Sequence, residues 1–160
     1  NSQLSRLSKP IAIALMIAIG IGLHNFGEGL AIGAAVGLGS IAFSTFLIVG
    51  FALHNTTEGI AIAGPLSKDK TSTRSLIGKL VGLGLIAGSP AIFGAWIGGF
   101  SYSPFSSVVF LAIGAGAIFQ VIVVIFRMIR EEGDKNLSSA SVVSGISIGM
   151  LVMYLTSILV

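Results

Sequence analysis

Cysteine is absent from the 160 residues. Disulfides, zinc–thiolate sites and cysteine nucleophiles are therefore excluded. Charge is nearly as scarce: Asp, Glu, Lys and Arg make up 9% of the chain, where a soluble domain carries about 25%. From Pro10 to Ser67 the only charged residues are Glu28 and Glu58, and from Leu80 to Phe126 and from Asn136 to the end there are none. A water-facing surface cannot be assembled from such runs. With 54% hydrophobic residues, the chain reads as an integral membrane protein whose first partner is the lipid bilayer. The net charge of +3 does not imply nucleic acid, because all nine Lys and Arg fall in three short segments and read as topology signals. No signal peptide is visible, and a start at Asn1 rather than Met reads as a processed or truncated beginning.

A spanning helix needs roughly 20 apolar residues, so each long uncharged stretch must fold back on itself. Gly37-Leu38-Gly39-Ser40 is the break in the first stretch, since glycine and serine favour a turn. This predicts helices over about 11–37 and about 42–64, opened by Pro10 and stopped by Pro65. After a polar linker from Ser67 to Ser75, the segment Gly98 to Pro104 is the second corner. Helices follow over about 76–98, 105–130 and 140–160, with a charged loop from Glu131 to Ser139. The fold class is thus all-α, a five-helix transmembrane bundle forming one transport domain over residues 1–160. Gly33-xxx-Gly37, Gly84-xxx-Gly88 and Gly94-xxx-Gly98 allow helices to approach closely.

Orientation follows from the basic residues. Arg6 and Lys9 precede the first helix; Lys68, Lys70, Arg74 and Lys79 lie between the second and third; Arg127, Arg130 and Lys135 lie between the fourth and fifth. With five spans these places share one side. The positive-inside rule makes that side cytoplasmic, with the N-terminus inside and the C-terminus outside.

The chemistry lies in a repeat. His24-Asn25-Phe26-Gly27-Glu28-Gly29 and His54-Asn55-Thr56-Thr57-Glu58-Gly59 both read H-N-x-x-E-G, and they contain both histidines of the chain. His and Glu at i and i+4 share one helix face, with Asn beside it. If the hairpin is centred near residue 41, His24 is level with Glu58 and Glu28 with His54, the levels being about 6 Å apart. One four-ligand site or two adjoining sites would both fit. A charged residue at the centre of a span costs about 2.5–3.5 kcal/mol on insertion scales and marks a functional site by default. Two close carboxylates repel unless a proton or cation joins them, and these helices hold no Lys or Arg to do so. Imidazole with carboxylate suits zinc, iron(II) or manganese, whereas potassium and sodium prefer oxygen-only sites. Met16, Met128, Met150 and Met153 are dispersed and read as packing, and Gln120 as an interhelical hydrogen-bonding group.

With these motifs the chain resembles the zinc–iron permease family (ZIP, Zrt-, Irt-like proteins), on His24-Asn25-xx-Glu28-Gly29 and His54-Asn55-xx-Glu58-Gly59-Ile60-Ala61-Ile62-Ala63. The resemblance implies an eight-span transporter of which these are spans four to eight, the three N-terminal spans being missing here or contributed elsewhere. It also implies a binuclear centre: His24, Glu28, His54 and Glu58 at one position, Asn25, Glu28, Asn55 and Glu58 at the other. The metal, zinc foremost with iron, manganese and cadmium alongside, is cargo moving toward the cytoplasm through the plasma membrane, and the protein is expected to be a homodimer. Gly27 and Thr57 stand where the family often has proline, the third helix brings no carboxylate, with Ser89 beside Pro90 as its nearest polar residue, and there is no histidine-rich loop.

The expected function is therefore transport and not catalysis. The alternative of another class is an intramembrane metal-dependent hydrolase, since such ligands with a bound water can hydrolyse bonds. Against it stand the lack of a third histidine and of an H-E-x-x-H helix.

Overall fold

A computed structural model describes residues 7–69, 72–101, 103–132 and 139–158. Five helices follow one another: α1 (Lys9–Gly37), α2 (Ile41–Leu66), α3 (Thr73–Phe100), α4 (Pro104–Glu132) and α5 (Ala140–Ile158). No strand occurs among the described residues. The first four helices are long and apolar enough to cross a membrane, and Ala140–Leu155 is a shorter apolar helix. Large side chains such as Phe46, Ile92, Trp96, Phe105, Phe119 and Met150 are exposed on the outside. This exterior suits lipid and not water.

The helices run one to three residues past most expected ends. Pro65 does not stop α2, which continues to Leu66. Proline removes only the bond to the carbonyl one turn back, and the helical bond from Ser67 N–H to Ala63 O, 2.9 Å, is still made after it. The linker after α2 is shorter than expected, because Ser72 caps α3 by accepting from Ser75 N–H. At the second corner, α3 runs through Gly98 and Gly99 to Phe100. The turn at 38–40 closes as a Schellman motif: Ser40 N–H donates to Ala35 O and Gly39 N–H to Val36 O. That motif places one residue in the left-handed region, and Gly39 takes it with φ 75°.

α1 is the centre of the bundle. α2 and α4 lie antiparallel to it, since Glu28 meets His54 and His24 meets Glu58, while Gly20 meets Val121 and His24 meets Gly114. α3 lies parallel to α1: Gly22, Gly29, Gly33 and Gly37 pack in turn on Ile86, Ala91, Ala95 and Gly99. A Cβ at Gly29 or Gly33 would fall on α3 backbone, and one at Gly94 or Gly98 on α1 backbone. Of the small-residue pairs in the sequence, Gly33/Gly37 and Gly94/Gly98 form this seam, whereas Gly84 and Gly88 face open space. Gln120 makes no interhelical hydrogen bond to a described residue and is exposed. The reason is position: α4 turns Gly114, Ala117 and Val121 inward, and residue 120 lies off that stripe.

This up-and-down order brings the starts of α1 and α3 and the ends of α2 and α4 to one end of the bundle. There Asp69 accepts from Ser8 Oγ (3.1 Å) and Lys79 Nζ (2.5 Å), and Lys9 pairs with Glu131. Lys68, Arg74, Arg127 and Arg130 belong to the same end by this order. Arg6, Lys70 and Lys135, counted with them in the sequence, lie outside the described residues, as does Tyr102 in the second corner. Above the charged end sits an apolar core of Ile17, Ile21, Ile62, Leu66, Leu83 and Val121, packed with Ala14, Ala18 and Ala87.

Candidate metal centre

The site occupies the α1–α2 seam beyond that core, with His24 about 20 Å from either end of α1 at 1.5 Å per residue. The α2 face turned to α1 recurs every three or four residues, through Ser44, Leu47, Gly50, His54, Glu58, Ile62 and Leu66. Its two ionisable members are therefore set into an otherwise largely apolar stripe. On α1, Glu28 is 6% and Asn25 3% exposed.

The side chains converge on one carboxylate oxygen. Oε1 of Glu28 lies 2.5 Å from His54 Nε2 and 3.3 Å from His24 Nε2, and His24 Nε2 is 3.9 Å from Glu58 Oε1. The ligand atoms of His24, His54 and Glu58 all fall within 4.8 Å of one another. The imidazole rings stand 6.5 Å apart between centroids, and Phe51 packs edge-on against His54. Gly114 lets α4 come up behind His24, a Cβ there reaching 3.7 Å from Nδ1.

Four side-chain oxygens of the two motifs are buried and accept no hydrogen bond from a described residue: Oδ1 of Asn25, Oε2 of Glu28, Oδ1 of Asn55 and Oε2 of Glu58. They come from four of the six residues singled out in the sequence, the other two being the histidines. A buried acceptor without a partner costs about 1–3 kcal/mol, and more when charged. Two amide and two carboxylate oxygens left this way make a donor set suited to a cation.

The geometry also indicates what must move for an ion to bind. At metal–ligand distances near 2.0–2.2 Å, two tetrahedral ligands sit about 3.4 Å apart. The His24–Glu28 pair already has that separation. His54 and Glu28 are closer, as a hydrogen-bonded pair, and would open by about 1 Å to share an ion. An entering cation would take the place of the proton between them.

Two contacts were not legible in the sequence. Asn25 Nδ2 donates to the main-chain oxygen of Ala87 on α3, 3.0 Å away, and no sequence signal marks a backbone acceptor. Thr57 donates from Oγ1 to His54 O at 2.6 Å. No family model, curated protein or solved structure matches the chain.

Proposed function

We propose that this chain is the conducting part of a membrane transporter for divalent transition-metal ions, zinc foremost, with His24, Glu28, His54 and Glu58 as principal ligands and Asn25 and Asn55 beside them. The observation that carries this reading is the convergence of His24, Glu28, His54 and Glu58 in an apolar bundle, with buried, unpartnered oxygens on both carboxylates and on the neighbouring asparagines. With neutral histidines the two carboxylates bring two negative charges, which one divalent ion balances. Imidazole and carboxylate together favour zinc, iron(II) and manganese over alkali ions.

Transport, in preference to storage or catalysis, is supported by the depth of the site within α1 and by its incomplete shielding. His24 keeps 30% of its side chain accessible, while the apolar core stands between the site and the basic end. Passage toward that end would require Ile17, Ile21, Ile62 and Leu66 to part. In this reading the basic end is cytoplasmic, the ion moves inward through the plasma membrane, and the chain corresponds to spans four to eight of a zinc–iron permease, working as a homodimer with three further spans.

Zinc, cadmium and manganese flux into liposomes tests this. The double variant Glu28→Gln/Glu58→Gln is expected to abolish flux, because an amide cannot offset the ion's charge. Undiminished zinc transport by that variant overturns the proposal.

A further inference from the structure

We propose that the main-chain carbonyl of Ala87 on α3 is a positioning group for the metal site, holding the Asn25 amide so that its oxygen is presented to the ion. The inference rests on the metal-binding reading above and adds a third helix to a site otherwise built from α1 and α2.

The Asn25 side chain is 3% exposed, donates from Nδ2 to Ala87 O at 3.0 Å, has its amide also against the Glu58 carboxylate of α2, and leaves Oδ1 buried without a partner. A carbonyl oxygen only accepts, so the amide has one workable orientation; the flipped form sets two oxygens against each other. The approach of α3 that makes this contact is itself specified. Pro90 lies inside α3 and has no N–H to give the carbonyl of Ile86. Gly22 of α1 packs on that same carbonyl, where a Cβ would come to 2.7 Å from it and 3.3 Å from Pro90 Cγ. Asn25 is nearly one turn further along α1 and reaches the next carbonyl of α3. The proline and the glycine therefore bring the two backbones together where the amide is held.

The repeated motif is thereby made unequal. Asn55 also carries a buried, unpartnered Oδ1, but its amide makes no such hydrogen bond to a described residue. Asn25 is a neutral oxygen donor held from α3, and Asn55 has no such hold from a described residue. An aspartate at 25 would press a carboxylate against Ala87 O and lose the tether. An aspartate at 55 meets no such obstacle and adds charge for the ion.

Cadmium binding to the purified chain in detergent, with side-chain amide exchange of ¹⁵N-asparagine in the metal-free protein, tests the proposal. Asn25→Asp should weaken cadmium binding roughly 10- to 100-fold, the loss typical of groups that orient metal ligands. Asn55→Asp should bind cadmium at least as tightly as the unaltered chain. One slowly exchanging side-chain NH₂ should be present and should vanish in Asn25→Ala. If Asn25→Asp does not fold, Asn25→Ala carries the affinity measurement and should weaken binding similarly. Equal affinities for the two aspartate variants, unchanged affinity in Asn25→Ala, or no protected amide overturns the positioning role alone. Failure of the unaltered chain to bind cadmium overturns the metal reading and this role together, even if the protected amide is seen.

Discussion

The two seams of α1 are built in opposite ways. Toward α3 it presents Gly22, Gly29, Gly33 and Gly37, and backbone meets backbone. Toward α2 it presents His24 and Glu28, and long polar side chains fill the space. Lipid offers helices little hydrophobic reason to associate, so close van der Waals packing carries the assembly. The α1–α3 seam supplies that packing in quantity. The α1–α2 seam can then carry unpartnered oxygens that would weaken a bundle relying on it. Asn25 stands where the two meet, its Nδ2 bonded to Ala87 O of α3 and its amide reaching Glu58 of α2, with Oδ1 unpartnered.

The largest expected effect comes from filling the glycine seam. A Cβ at Gly29 would overlap the backbone of Ala91, which cannot swing aside as a side chain can. Gly29→Ile is expected to destabilise by about 3 kcal/mol or more. Gly88→Ala, with nothing within 4 Å of the new Cβ, should be neutral or stabilising by up to about 1 kcal/mol through helix propensity. Thermal unfolding in detergent measures both. Equal midpoints for Gly29→Ile and the unaltered chain would mean that α1 and α3 are not held by this seam.

The sequence shows the α1–α2 seam far better than the α1–α3 seam, for a physical reason. Polar groups in an apolar span are rare, so His24, Glu28, His54 and Glu58 stand out, and their helical spacing sets the facing pairs. Those pairs centre on residue 41, although the turn centres on 39. Side chains lean toward the N-terminus of their own helix, away from the turn on α1 and back toward it on α2. Side chains that meet therefore lie further along α2 than the backbone levels alone would suggest. Glycine, by contrast, is spread through every helix. The sequence marks Gly84/Gly88 as readily as Gly94/Gly98, and only the rotation of α3 decides which pair meets α1. The Ala87 carbonyl leaves no trace in residue identity, and Gln120 reads as a bonding group until the inward face of α4 is known.

Within the α1–α2 seam, if it holds the ion as proposed, the two histidines are expected to differ. His54 is the more buried and lies 2.5 Å from Glu28, whereas His24 keeps 30% of its side chain accessible and is 3.3 Å away. His54→Ala removes the more buried of the two imidazole nitrogens, a ligand that water does not readily replace there. It should therefore weaken zinc binding at least roughly tenfold. His24→Ala should weaken it less, since water can reach the vacated position. Both should move preference toward manganese, which favours oxygen ligands. Competition titrations with zinc and manganese read both shifts, and a larger zinc loss in His24→Ala would reverse the assignment of the tighter ligand.

The smallest expected effect lies at the charged end, where polar groups meet in the open and not in the seam. The hydrogen bond from the Lys79 ammonium, helped by the Ser8 hydroxyl, holds the Asp69 carboxyl below the ordinary aspartate range. A carboxylate whose pKa is lower in the folded chain stabilises it above the unfolded value, near ~3.9 for aspartate. That contribution is lost as the pH falls below this value. Exposed pairs of this kind contribute little and are screened by salt. Asp69→Asn should thus lower the thermal midpoint only slightly at neutral pH. The difference should shrink in roughly 1 M salt, where the Debye length is about 3 Å, and fade as the pH falls below the unfolded value and through the lowered folded one, where position 69 becomes neutral in both chains. Zinc binding at neutral pH should be unchanged, because the apolar core separates Asp69 from His24 and Glu28. A loss as large as that of Gly29→Ile, or one that persists in acid, would mean that the charged end and not the glycine seam holds the bundle together.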